Sequence, residues 1–290
     1  MKQEDTIAFW DAEAKKRGNS SRVGYLAGDW PVALGDERFR SEWEWVSQHV
    51  LPLIESPHTC LDIGCGGGSW LLALASHFDQ AIGLDISSSM VDLATQEIQN
   101  RNAKNARAIV GGLADLRTLP AADMVFVGGV IMCLSDDHSP TAIGQIFDVL
   151  KPGGLAVFRE TTYHRKTHYR TKPLVPGLFH QERGPRPPFQ VVYRPISIYK
   201  DWFQDAGFNV ICTEENQAYA RSDLAEEVLR AVNWISGRHL SKNPFLAEKV
   251  ALHLHRRKKI VLEPLLQTLR ALPRPLRKRV NQWFLVQKPL

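Results

Sequence analysis

At 290 residues the chain is roughly twice the length of a common domain. With 44% hydrophobic and 23% charged residues it has the apolar material for a full core, which excludes a disordered chain and a disulfide miniprotein. Its four cysteines form no paired Cys-x-x-Cys clusters, so they give neither a disulfide framework nor a zinc site, and they suit a reducing, cytoplasmic compartment. The formal charge of +5 is uneven: residues 238–290 hold 13 Lys and Arg against Glu248 and Glu263, leaving 23 bases and 29 acids in the rest.

The first residues, Met1 to Asp5, bring acids where a secretory leader would need a basic end and an apolar run. The longest strongly apolar stretch, 124–134, is well short of the ~20 residues that cross a bilayer, so no transmembrane segment is expected. Residues 1–54 read as a helical segment, broken near Gly18 to Ser21 and Gly28 to Pro31. Its aromatics Phe9, Trp10, Tyr25, Trp30 and Trp43 are expected to pack on the core rather than touch ligand.

From Thr59 short apolar runs alternate with helix-period segments, the pattern of βαβ units. Strands are predicted near 59–63, 81–84, 107–110, 124–127, 155–158 and 209–212. A helix over about 67–78 aligns Leu71, Leu74, Ala75 and Phe78 on one face. The Pro152-Gly153-Gly154 turn precedes the fifth strand. The fold class is therefore α/β: a Rossmann-like, doubly wound, mostly parallel sheet over 55–215, with an insertion at 163–194 and a basic helical segment at 216–290.

The chemistry begins at 61–68, LDIGCGGG, directly after the first strand. Side chains at Gly64, Gly66 and Gly68 would obstruct a ligand crossing the strand end, and the following helix offers free amides. Asp85 ends the second strand about 17 residues later, where a carboxylate can accept hydrogen bonds from two ribose hydroxyls. The loop lacks the Gly-x-Gly-x-x-Gly spacing of dinucleotide binding and the Gly-Lys-Ser/Thr of an ATP loop. A nucleoside without a pyrophosphate is expected.

With LDIGCGGG at 61–68, GLDIS at 83–87, ADMVFVGGVIMCLSD at 122–136, LKPGGLAVFRE at 150–160 and YKDWFQDAGFNV at 199–210, the sequence resembles the class I S-adenosylmethionine-dependent methyltransferases over residues 55–215. The resemblance implies S-adenosyl-L-methionine as cofactor. It places Gly64 and Gly66 under the methionine part, Asp85 on the ribose, Ile86 on the adenine, and Gly128 and Gly129 beside the methionine end, with Asp62 counted among the cofactor residues. The family's aspartate after the third strand is replaced in Val110-Gly111-Gly112-Leu113-Ala114-Asp115. That leaves the adenine amino group to the backbone of Leu113 and Ala114 or to Asp115.

The implied reaction needs an oriented acceptor and, for oxygen, a proton acceptor. Strand ends four and five supply candidates. His164 and Glu160 are favoured as base; pairing of Glu160 with an arginine, and helix capping by His138, are the competing readings. The insertion carries His164, Arg165, Lys166, His168, Arg170, Lys172, His180, Arg183 and Arg186 against Glu182. Tyr163, Arg165, Arg170, Tyr193 and Arg194 are the expected acceptor contacts, and the cations suit a phosphate, carboxylate or sugar-phosphate.

The expected function is methyl transfer to O or N of a small, anionic metabolite, natural-product or glycan acceptor, with no metal. The basic loop and tail leave nucleic acid and a peripheral anionic membrane surface as alternative partners. An RNA methyltransferase is the main rival, although Val127 to Val130 lacks the Asn/Asp-Pro-Pro-aromatic motif of base-amino methylation and no proline precedes Cys133. A non-catalytic binding protein on the same fold is the third reading.

Overall fold

The computed structural model describes residues 3–17, 32–163, 166–172, 189–216, 218 and 279–290. Helices α1 (Gln3–Arg17) and α2 (Val32–His49) precede β1 (Thr59–Ile63), α3 (Ser69–Ala75), β2 (Gln80–Asp85), α4 (Ser88–Asn100), β3 (Ala106–Val110) and β4 (Ala122–Gly128). Next come α5 (Ser139–Val149), β5 (Leu150–Tyr163), β6 (His168–Lys172), β7 (Phe189–Tyr193), α6 (Ile196–Asp205), β8 (Asn209–Glu215) and β9 (Arg279–Gln287).

Seven strands form one sheet in the order β3-β2-β1-β4-β5-β9-β8. β1 to β5 run parallel, and β9 lies antiparallel to both β5 and β8. β1 is buried throughout because helices cover both sheet faces. On one face α5 and α6 bring Ile143, Ile146, Tyr199 and Phe203 against Val125, Val127 and Phe158. On the other, α2, the residue after it and α3 bring Val46, Val50, Trp70, Leu71 and Leu74 against Met124, Phe126 and Val157. The strand order reverses between β1 and β4, and a doubly wound sheet opens its ligand crevice at such a point.

All six strands expected from sequence are present, and the mostly parallel, doubly wound class holds. The last nine-residue strand is a correction. Residues 279–287 were read as part of a basic helical tail, yet they fill the gap between β5 and β8. Trp283, Phe284, Leu285 and Val286 are all buried, and burying each such side chain contributes about 1.5–3 kcal/mol, enough to outweigh the flanking charge. The core therefore extends past residue 215 to the chain's last strand. The rest of the 216–290 segment, with its expected helices, lies outside the described residues apart from Asn216, Ala218 and 288–290.

The insertion begins and ends as a hairpin rather than a loop: His168 pairs with Tyr193 and Lys172 with Phe189. Its middle, 173–188, lies outside the described residues, as do His164 and Arg165.

Candidate active site

The switch between β1 and β4 opens into a cavity of about 700 Å³. Asp62, Gly64, Gly66, Asp85, Ile86, Leu113, Gly128 and Gly129, the whole set expected to hold the cofactor, line it. The loop after β1 is pinned by its own backbone: the amides of Gly64 and Cys65 donate to the Leu84 carbonyl at 2.7 and 3.1 Å. Gly64 has φ +70°, and a Cβ there would stand 2.4 Å from Val130 Cγ2. At Gly68, φ +84°, a Cβ would meet Ala94 at 3.2 Å. Left-handed backbone thus calls for glycine at both positions, and contact with Val130 adds to it at Gly64, where the sequence reading invoked only a ligand.

Asp85 sits at the tip of β2, 9% exposed. Its carboxylate accepts from the amides of Gly66 and Ser87, both at 2.9 Å, one on each oxygen. Burial raises its pKa, opposed chiefly by those two bonds. Each oxygen keeps a lone pair for a further donor, as a ribose diol requires. Asp62 lies one step deeper, 2% exposed. Burial pushes its carboxyl up to about 7, opposed chiefly by a hydrogen bond from the Leu71 amide. Its Oδ2 has no partner.

Beyond β3, residues Leu113–Thr118 form a short 3-10 helix. Asp115 Oδ2 accepts from the Gly112 amide at 2.8 Å, and both residues line the cavity. His138, Thr141, Ala142 and Gln145 line the cavity as well. His138 Nδ1 is 2.7 Å from Ser135 Oγ. The expected helix cap is not made by the His138 side chain, although the residue does hold the N-cap position of α5.

Two residues expected at the acceptor are instead structural. Arg194 is fully buried: its Nε donates to Asp136 at 2.6 Å, one terminal nitrogen to the Ile131 carbonyl at 3.1 Å and the other to Leu134 at 2.7 Å. Trp202 lies beneath its guanidinium at 5.0 Å. A rigid fork of donors suits this clamp on the loop after β4, and it keeps the charge from reaching a ligand. Tyr193 is buried beside Phe9 and Val191.

Glu160, expected as a base, is also enclosed. Oε1 accepts from the Ile131 amide at 3.0 Å and Oε2 from Met132 at 3.1 Å. Burial raises its carboxyl to about 7 against those bonds. It is not among the cavity-lining residues. It makes no ion pair with an arginine among the described contacts; two backbone amides hold it instead. Tyr163 is partly exposed and stacks on His168 at 5.1 Å. Arg170 belongs to β6 by its backbone.

Asp136 completes the clamp by accepting from Tyr169 as well. Burial would raise Asp136, but donation from Tyr169 and Arg194 outweighs it and lowers its pKa.

Sequence reasoning missed several lining residues. α1 lays Gln3, Thr6 and Trp10 over the cavity and is tied down by Asp11, which accepts from Ser87 Oγ at 2.5 Å. Phe9 and Trp10 both pack as expected, and Trp10 lines the cavity in addition. Arg159 and Trp70 also line it. Arg159 donates to the buried Glu42 at 2.9 Å, and Glu42 accepts from Asn216 at 2.6 Å, joining α2, β5 and the end of β8. Partners more than one hundred positions apart leave no local signal.

A family profile described as a methyltransferase domain matches residues 60–154. A demethylmenaquinone methyltransferase of Lactiplantibacillus plantarum is 30% identical over 196 residues, covering 61% of this chain and 79% of that protein. The chain belongs to the class I S-adenosylmethionine-dependent methyltransferases. A trans-aconitate 2-methyltransferase of Methylobacterium radiotolerans is 33% identical over 150 residues, 48% of this chain and 53% of the other, so here the match spans about half the relative's length. The same fold is seen in a Haemonchus contortus phosphoethanolamine N-methyltransferase 2, solved with phosphomonomethylethanolamine and S-adenosylhomocysteine. It has TM-score 0.58 and 16% identity, with 98% of this chain and 60% of that one covered.

S-adenosylmethionine, this family's methyl donor, fits the residues present. Glycine backbone, an enclosed carboxylate at the β2 tip and an orphaned Asp62 oxygen suit a nucleoside with a cationic amino-acid end.

Proposed function

We propose that this methyltransferase methylates an O or N atom of a small, anionic acceptor of the metabolite, natural-product or glycan kind. One observation carries the reading: one cavity at the strand-order reversal joins the Asp85 tip, the glycine loop and the segment at Gly129 and Cys133. When bound, S-adenosylmethionine supplies an electrophilic sulfonium methyl.

The chain's own residues orient and enclose. Asp85 takes the ribose hydroxyls, Ile86 packs on the base, and the segment Gly111 to Asp115 meets its amino edge. α1 closes over the top through Thr6 and Trp10, which excludes water and fixes the approach of the acceptor. Arg194 and Glu160 hold the loop 131–136 rigid beside the methyl position. Since Glu160 is fully buried and does not line the cavity, removal of an acceptor proton falls in this proposal to His164. His138, on the cavity wall with Ser135, is the second candidate.

The anionic acceptor is supported by the composition of the insertion, rich in Lys, Arg and His, and by two of the similar proteins, named for trans-aconitate and phosphoethanolamine. Incubating the chain with radiolabelled S-adenosylmethionine and fractionated cell extract tests it. Label is expected in small anionic molecules; label in RNA, or in lipid, would overturn the acceptor class. Asp85→Ala should weaken S-adenosylhomocysteine about 100-fold by calorimetry, the loss of two hydrogen bonds to a charged group. Unchanged affinity would remove the ribose assignment.

A further inference from the structure

Gln3, Thr6 and Trp10 stand three and four positions apart on α1, so they share one face of the helix, and all three line the cavity. The helix is fastened to α4 alongside. Asp11 accepts from Ser87 Oγ at 2.5 Å and from the Ser89 amide at 3.4 Å, and Ala14 packs with Met90 and Leu93. Thr6 is buried and Trp10 half-buried, whereas Gln3 is exposed at the rim.

The amide end of Gln3 meets the segment after β3. A Cβ built on Gly112 would lie 3.8 Å from Ile86 Cγ2 and 3.9 Å from Gln3 Nε2, and beyond its chain neighbours it would meet nothing else within 4 Å. Gly112 has φ −113°, which any residue adopts, so the backbone does not call for glycine there. The missing side chain leaves a gap bounded by the Ile86 side chain and the Gln3 carboxamide. In the methyltransferase reading the base packs on Ile86 and turns its amino edge to residues 111–115. That edge presents an amino donor beside a ring-nitrogen acceptor. A carboxamide carries the complementary pair, and glutamine takes adenine through two such bonds wherever proteins read that base by its edge.

We infer that Gln3 reads the amino edge of the cofactor's adenine with its side-chain amide, in the gap that glycine leaves at position 112. This rests on the methyltransferase reading and deepens it. The base is recognised by a helix that precedes the first strand, and the same helix carries Thr6 and Trp10 over the cavity. A cofactor with the right base therefore also holds α1 down. A purine with oxygen in place of the amino group offers the wrong pattern and loses that hold.

The test is calorimetry on the full chain with S-adenosylhomocysteine and with S-inosylhomocysteine, in which an oxygen replaces the amino group and the adjacent ring nitrogen carries hydrogen. The wild type should prefer S-adenosylhomocysteine about 20-fold, the discrimination of a two-bond amide contact. Gln3→Ala should weaken S-adenosylhomocysteine about tenfold and S-inosylhomocysteine less than twofold, leaving a preference below threefold. Gln145, the other carboxamide on the cavity wall, is the control: Gln145→Ala should keep the full preference. At equal saturation of the wild type, amide hydrogen exchange along α1 should slow with S-adenosylhomocysteine and not with S-inosylhomocysteine. A wild type without preference, a Gln3→Ala variant that retains it, a Gln145→Ala variant that loses it, or equal slowing by both ligands overturns the inference. Wild type that binds neither ligand overturns the methyltransferase reading itself.

Discussion

Asp62 beneath the glycine loop and Glu160 behind the loop that follows β4 are both enclosed, and burial pushes both carboxyls up to about 7. Glu160 gives each oxygen a backbone amide and lies off the cavity, whereas Asp62 keeps Oδ2 unpartnered and is one of the residues lining the cavity. A buried carboxylate satisfied away from the cavity is part of the scaffold, whereas Asp85, equally bonded by two amides, stands on the cavity wall. Burial and a raised pKa alone do not separate the two roles. A place on the cavity wall does: Asp62 and Asp85 line it and Glu160 does not.

That contrast breaks most sharply at Glu160. Glu160→Ala strands the amides of Ile131 and Met132 and should cost about 3 kcal/mol, lowering the melting midpoint by roughly 6 °C. A variant melting with the wild type would show that the loop does not depend on this carboxylate. Arg194→Met frees the carbonyls of Ile131 and Leu134 and should cost about 2 kcal/mol, read as a shift in the denaturant midpoint. Asp62→Asn is expected to leave the melting midpoint of the ligand-free chain unchanged or raised, since it removes a buried charge and retains an acceptor for the Leu71 amide. Its cost appears in cofactor affinity.

pH probes both carboxyls together. Each has a folded pKa raised above its ordinary carboxylate value, so each contributes stability present in full below about pH 4 and lost as pH climbs through about 7. The ligand-free chain should melt higher at pH 5 than at pH 8, with Asp85, also raised by burial, adding in the same sense. Asp62→Asn should flatten that slope, and a slope that the substitution leaves intact would place the titration elsewhere. The smallest effect belongs to Tyr169→Phe, which removes an exposed bond to Asp136 and should change stability by less than about 1 kcal/mol in the same denaturant series.

Much of the cofactor half was legible in the residues because its signals are local. A strand, a glycine turn and an acid on the next strand tip fall within about 25 positions, and Asp62, Gly64, Gly66, Asp85 and Ile86 do meet in one cavity. β9 was hidden by composition: a count of charges over 238–290 masked Trp283 to Val286, four consecutive apolar residues that read by themselves as a doubly covered strand. Tyr193 and Arg194 were assigned to the acceptor by their position after the basic insertion, and the fold turned both inward.

Apolar periodicity and the glycine and acid spacing determine by themselves an α/β sheet and a nucleoside-binding edge, because backbone conformation and strand burial depend on neighbours in the chain. Which carboxylate stays unpartnered, which arginine clamps a loop and which indole faces the cavity were decided only by the tertiary structure. Those properties depend on partners such as Glu42 with Arg159, or Arg194 with Leu134, brought together from distant positions by packing of the sheet and its helices.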